Sequence, residues 1–215
     1  GVDNVFDLSL GNPVVEPPKQ VCQAIASAAN DTSPGLHRYM PNAGLNDVRD
    51  AIARSLSVES SVKLTADHIV MVCGAAGGLN ITLKTLLDPD EEVIVFSPFF
   101  VEYLFYSENH GGKTVTVSTH KDFSLNFGAL REALSPKTKA VIINSPNNPT
   151  GVVYPKKILE KLAAILQQHT SDTGNPVYLI SDDPYKKIVF DGVTTSNILE
   201  LYENSIYITS YSKDL

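Results

Sequence analysis

Gly74-Ala-Ala-Gly-Gly78 joins an apolar run to a helical one, so free backbone N–H groups at the helix start are placed to hold a phosphate. The turn has neither the G-x-G-x-x-G dinucleotide pattern nor a following Gly-Lys-Ser/Thr, and taken alone it is equally a tight turn for close packing. Asp182 and Asp183, in Asp182-Asp-Pro-Tyr185, follow another apolar run. They read as a solvated strand end or as carboxylates with something positive to face. Asn147-Asn-Pro-Thr-Gly151 is made of ordinary turn residues. Lys213 closes Ser210-Tyr-Ser-Lys213. Most lysines are solvated surface groups, but this one follows a buried-type strand and stands beside small hydroxyl residues.

The hydrophobic periods show what must position these groups. Val21, Ile25 and Ala28 recur at helical spacing over 18–30, as do Leu45, Val48, Ile52 and Leu56 over 44–57. His68-Ile-Val-Met-Val-Cys73 is short and β-branched enough for a buried strand, and Leu79 to Leu87 reads as a helix. Further strands are expected at Val93–Phe96, Thr114–Ser118, Ala140–Asn144, Val177–Ser181 and Ile206–Ser210. Helices are expected at Asn126–Leu134 and at 155–168, with Pro155 in the first turn of the latter. Alternating strands and helices imply an α/β fold with a largely parallel sheet covered on both faces. Such sheets bind ligands outside the carboxyl ends of their strands. All four chemical segments fall at those ends, so the expectation is one site assembled from four loops.

Composition narrows the partners. A formal net charge of −7, with Lys and Arg scattered, argues against a nucleic-acid or anionic-membrane surface. Cys22 and Cys73 are too few for a disulfide framework, have no metal-type spacing, and sit among apolar neighbours, which reads as buried free thiols. No apolar stretch approaches the roughly 20 residues needed to span a bilayer, and no secretory signal is visible at the N-terminus, leaving a cytoplasmic location as the default. The initial Gly points to a trimmed or partial chain. Residues 1–45, rich in Pro and loop signals, read as an arm and part of a smaller domain, with the main domain at 46–215.

Together these segments resemble the large domain of fold-type I pyridoxal-phosphate enzymes, and specifically the class I/II aminotransferases of the aspartate aminotransferase superfamily. The matches are Asn-Asn-Pro-Thr-Gly at 147–151, Asp-x-x-Tyr at 182–185 and Ser-x-Ser-Lys at 210–213, in the family's order. Leu10-Gly-Asn-Pro13, Arg38-Tyr-Met-Pro-Asn-Ala-Gly-Leu45, the glycine turn and Ser97-Pro-Phe-Phe-Val-Glu-Tyr103 agree as well. The resemblance runs over essentially the whole chain. It implies a three-layer α/β/α large domain with a mostly parallel sheet, accompanied by part of a smaller N-terminal arm or domain.

The resemblance also implies a cofactor, pyridoxal 5'-phosphate, and roles for named residues. Lys213, Asp182 and Tyr185 would be catalytic. Lys213 would form the Schiff base and later move a proton at the substrate α-carbon. Asp182 would keep the pyridine nitrogen protonated, with Asp183 as runner-up. Asn148 and Tyr185 would hydrogen-bond the ring's phenolic oxygen. Gly74, Ala75 and Ala76 would hold the phosphate through backbone N–H groups, helped by Ser210 and less surely by Ser212. Phe100 would stack on the ring, while Phe99 and Tyr103 would be packing residues. Tyr39 would cross from a neighbouring subunit to the phosphate, which implies a homodimer with shared sites. Gly11 and Asn148 would border the substrate, an amino acid or 2-oxo acid.

Enzymes of this kind continue well beyond the position of Leu215, with a phosphate-binding arginine, one further strand inside the sheet, and a small domain carrying a substrate-binding arginine. The sequence is therefore expected to be part of a longer polypeptide, since alone it would leave interior strands unpaired. The activity implied is transfer of an amino group between an amino acid and a 2-oxo acid. A β-lyase shares these motifs. A non-catalytic binding domain is a poorer fit, having no need to keep Lys213, Asp182 and Tyr185 together.

Overall fold

The computed structural model describes residues 15–213. The chain divides into two compact units, one running to Tyr39 and the other beginning at Met40. The described part of the first contains helix α1 (Lys19–Ala29), closed by the Asn30 side chain on the Ala26 carbonyl at 2.7 Å. The apolar spacing that predicts this helix is present, but none of its residues is buried.

The second unit is built on five parallel strands: β1 (Glu92–Ser97), β2 (Lys113–Ser118), β3 (Thr138–Asn144), β4 (Tyr178–Asp182) and β5 (Ser205–Ile208). Their order across the sheet is β2-β1-β3-β4-β5. Helices α2 (Asn46–Ser60), α3 (Gly74–Leu86), α4 (Glu102–Glu108), α5 (Phe127–Ala133) and α6 (Lys156–Thr173) accompany it. Successive strand residues point to opposite faces, and the apolar residues divide accordingly. Ile94, Phe96, Val141, Ile143 and Leu179 pack with Leu130 of α5 and Leu159, Leu162 and Leu166 of α6. Val93, Val95, Ala140, Ile142 and Ile180 pack on the other face with Leu79 and Leu83 of α3 and Tyr103 and Tyr106 of α4. Runs that are buried on both faces, such as Val93–Phe96, are what a helix-covered parallel sheet requires. The fold is the expected α/β/α arrangement.

Three expectations need correction. Residues 69–73 join no strand ladder among the described residues, and some of their main-chain groups bond elsewhere. Met71 N–H donates to the Ala43 carbonyl at 2.9 Å, and the Arg49 guanidinium donates to the Ile69 carbonyl at 3.0 Å. The glycine turn is therefore not preceded by a sheet strand; it is the first turn of α3. The two cysteines are exposed rather than buried: Cys22 lies on α1, and Cys73 is the residue preceding α3, at the end of the unpaired stretch. Helix α4 was not expected, since its aromatic-rich sequence Glu102-Tyr-Leu-Phe-Tyr carries no clear period. Its Tyr103 and Tyr106 lie one helical turn apart and are both buried.

Glycine is required at one contact that matters to the site. A Cβ on Gly78 would come within 2.9 Å of Ile208 Cγ2 and 3.4 Å of Val72 Cγ2. Helix α3 can lie that close to the end of β5 only because this position has no side chain.

Candidate active site

Strand order fixes where a ligand can enter. The chain moves from β1 to β2 on one side and then returns to place β3 on the other, so the loops leaving β1 and β3 diverge and open a crevice at their carboxyl ends. A cavity of about 290 Å³ lies there. Loop and helix residues after β1 line it (Phe100, Glu102, Tyr103, Tyr106), as do Asn144 and Asn148 from the end of β3. Asp182, Pro184 and Tyr185 follow from β4, Ser210, Ser212 and Lys213 from β5, and Gly74, Ala75, Ala76 and Leu79 from the start of α3.

Asp182 ends β4 almost fully buried. Its Oδ2 accepts a 2.7 Å hydrogen bond from the Tyr103 hydroxyl, while Oδ1 is buried with no hydrogen-bond partner among the described residues. Burial pushes this carboxyl up to about 6, against the lowering effect of the Tyr103 bond. The same burial, together with the field of Asp182, holds the Tyr103 phenol far above its ordinary value, so it stays a donor. Tyr103 is thus more than a packing residue, although it also touches Phe99 (centroids 6.5 Å, stacked) and Phe100 (5.8 Å, edge-on). Asp183 does not line the cavity. Its Oδ2 accepts from Ser181 Oγ at 2.9 Å, and burial pushes it up to about 7.

The β5 loop is tied back to β4: Asp183 N–H donates to the Ile208 carbonyl at 2.8 Å, and Thr209 Oγ1 donates to the Asp183 carbonyl at 3.1 Å. Beyond that tie, Ser210 and Ser212 hydroxyls meet at 2.9 Å, and the Ser212 N–H donates to Ser210 Oγ at 3.2 Å. This small turn presents Lys213, which forms no ion pair or hydrogen bond among the described residues. Across the cavity, the Cys73 side chain does not cap the first turn of α3, and no other capping side chain is found among the described residues. Gly74 adopts a left-handed φ of +68° and turns its own N–H to the Val72 carbonyl at 3.1 Å, which leaves Ala75 and Ala76 to present open donors. A buried carboxylate, an unpaired amine and a helix start form one concave site. Among the described residues no group of three His, Cys, Asp or Glu is placed to hold a metal ion, and no helix is long and apolar enough to cross a membrane.

Residues 3–215 match the family model described as "Aminotransferase class I and II". The chain belongs to that family. It is 36% identical over 194 residues to the aspartate/prephenate aminotransferase of Thermus thermophilus, covering 89% of this chain and 48% of that protein. A probable aspartate aminotransferase of Methanocaldococcus jannaschii is 30% identical over 208 residues, which cover 97% of this chain and 53% of that one. In three dimensions the chain is similar to an amino transferase from Eubacterium rectale, with a TM-score of 0.94 at 36% identity, covering 98% of this chain and 54% of that one. It spans about half the length of the curated relatives it matches.

The cofactor of this aminotransferase family is pyridoxal phosphate, and the residues present fit it. The unpartnered Asp182 Oδ1 faces the need of a protonated ring nitrogen, and the uncapped start of α3 that of a phosphate. Of the residues singled out in the sequence, Gly74, Ala75, Ala76, Phe100, Asn148, Asp182, Tyr185, Ser210, Ser212 and Lys213 line this cavity. Tyr39 belongs to the other unit, where it is fully exposed. Gly11 lies outside the described residues. Sequence reasoning assigned no site role to Asn144, Glu102 or Tyr106, which the fold brings to the same cavity. The Glu102 carboxylate accepts the Tyr106 hydroxyl one turn along α4. The signal that was available is the i, i+4 spacing of that pair.

Proposed function

We propose that this chain supplies the cofactor site of an aminotransferase that moves an amino group between an amino acid and a 2-oxo acid. The observation that carries the reading is the convergence of Lys213, the open oxygen of Asp182, Asn148, Tyr185 and the α3 N-terminus on one cavity. Pyridoxal phosphate supplies an electron sink when bound. Lys213 would hold it through its side-chain amine and would carry a proton at the substrate α-carbon. Asp182 holds the ring nitrogen protonated, and Asn148 and Tyr185 donate to the phenolic oxygen. Phe100 covers one face of the ring. Ala75 and Ala76, with Gly74 shaping the turn and Ser210 and Ser212 nearby, hold the phosphate. Asn148 borders the substrate.

The holoenzyme offered a panel of amino acids should convert the cofactor to its amine form, visible as a change in absorbance, and release the matching 2-oxo acid. Release of ammonia with pyruvate would show a lyase instead, and an unchanged spectrum with every amino acid would show a binding domain.

The same reading makes the protein a homodimer in which Tyr39 of one subunit reaches the phosphate held by the other. Residues 1–45 would form the arm and part of a smaller domain, with 46–215 in the cofactor-binding domain; the boundary between the two compact units falls earlier, between Tyr39 and Met40, and puts residues 40–45 with the second unit. The full exposure of Tyr39 supports a role beyond its own chain. Chains carrying both Tyr39→Phe and Lys213→Ala, mixed with wild-type chains, give heterodimers whose intact Lys213 site lacks its tyrosine. A phenol–phosphate bond is worth roughly 1.5–3 kcal/mol, so these sites should hold cofactor about ten- to a hundredfold less tightly. Wild-type retention would confine Tyr39 to its own chain.

A further inference from the structure

We propose that Asn144 is a positioning residue that locks Asp182 and Asn148 into one fixed relation across the cofactor cavity. The inference rests on the cofactor reading above and adds to it a residue that acts through the main chain of Asp182 and Asn148. Asn144 is the last residue of β3, stands in register with Asp182 of β4, and is almost fully buried. Its side chain uses both ends. Nδ2 donates to the main-chain carbonyl of Asp182, and Oδ1 accepts from the main-chain N–H of Asn148.

The arrangement has a clear physical purpose. The β3–β4 ladder stops at this pair, and beyond it the two chains separate into loops with no further main-chain bonds to align them. One amide, with a donor and an acceptor on the same short planar group, bridges that gap. The ring nitrogen and the phenolic oxygen of pyridoxal phosphate are fixed to one another by covalent bonds. The groups that serve them, Asp182 and Asn148, must therefore be fixed to one another too, and preorganisation of this kind depends on supporting hydrogen bonds. Alanine supplies neither bond. Serine is too short to span both partners.

The test is the pH midpoint of the cofactor's visible absorbance in the holoenzyme, read alongside cofactor retention. Asn148 draws negative charge from the phenolic oxygen. If Asn148 is misplaced, that oxygen would keep more of its charge, and the cofactor's visible absorbance would change at higher pH. Asn144→Ala should raise the midpoint and weaken retention about tenfold, the scale of losing a buried hydrogen bond of roughly 1.4 kcal/mol. Asn144→Ser, the milder change, should move both in the same direction. Because Asn144 acts through Asn148, adding Asn144→Ala to Asn148→Ala should shift the midpoint little further. A wild-type midpoint and retention in both Asn144 variants would overturn the inference, as would full additivity with Asn148→Ala. A wild-type protein that takes up no pyridoxal phosphate would instead overturn the function proposed above, and this inference with it.

Discussion

Lys213→Ala should give a folded protein that borohydride no longer fixes to pyridoxal phosphate, with turnover reduced by at least roughly 10²–10⁴-fold, the usual contribution of one positioned acid–base group. Both losses follow from one placement. The Ser210–Ser212 turn, tied to β4 through Thr209, carries the amine to the cavity and gives it no carboxylate partner among the described residues. Lys186, one of the two nearest lysines by sequence, is differently placed. Its ammonium is paired with Glu59 at 2.6 Å and stands over the Tyr207 ring at 5.6 Å. An ammonium held between a carboxylate and a ring face is not free to turn into the cavity. Borohydride reduction of the wild-type holoenzyme followed by peptide mapping should therefore place the pyridoxyl group on Lys213. A label on Lys186 or Lys187 would sink the assignment, as would near-normal turnover in Lys213→Ala.

The sheet was legible because its strands are buried on both faces. Runs such as Val93–Phe96 and Ala140–Asn144 announce themselves without any partner in view. The stretch at 69–73 is similarly apolar and β-branched yet forms no ladder among the described residues; composition reports a tendency to burial and says nothing of which main-chain groups a segment will meet. Ala43 and Arg49 meet them instead. The site residues that carry their own chemistry, Lys213 and Asp182, were legible for a related reason: an amine or carboxylate after a buried strand is conspicuous. Those that act through other residues were not. Tyr103 bonds Asp182 from 79 residues away and Asn144 bonds it from 38 away, and no spacing rule links positions so far apart. As a sequence, Asn144 is only the polar end of an apolar run. Its bond to Asn148 is local, but its bond to Asp182 exists only once β3 and β4 lie side by side.

Asp182→Ala should leave a folded protein able to hold cofactor but slower by roughly 10²–10³-fold, the scale of removing one preorganised electrostatic contact. Asp183→Ala should instead act mainly on the β4 end that Asp183 supports, because its side chain bonds Ser181 and does not line the cavity. Their pH behaviour separates them further. Both carboxyls have an ordinary value of 3.8, and burial pushes Asp182 up to about 6 and Asp183 up to about 7. Between those limits the folded, cofactor-free protein holds protons that the unfolded chain has released, so its stability falls as pH rises. The stabilisation is complete below about 4 and lost as pH passes 6 for Asp182 and 7 for Asp183. A protonated ring nitrogen beside Asp182 Oδ1 would favour the ionised carboxylate and pull its value down, but it would do little for Asp183, which is turned toward Ser181. Thermal unfolding across pH 4–8 should therefore show a decline in the cofactor-free protein that cofactor reduces in part. Asp182→Ala should remove the part that cofactor acts on, and Asp183→Ala the remainder. If cofactor flattens the profile of Asp182→Ala as much as that of wild type, or if turnover survives in Asp182→Ala and is lost in Asp183→Ala, then Asp183 is the carboxylate that meets the ring.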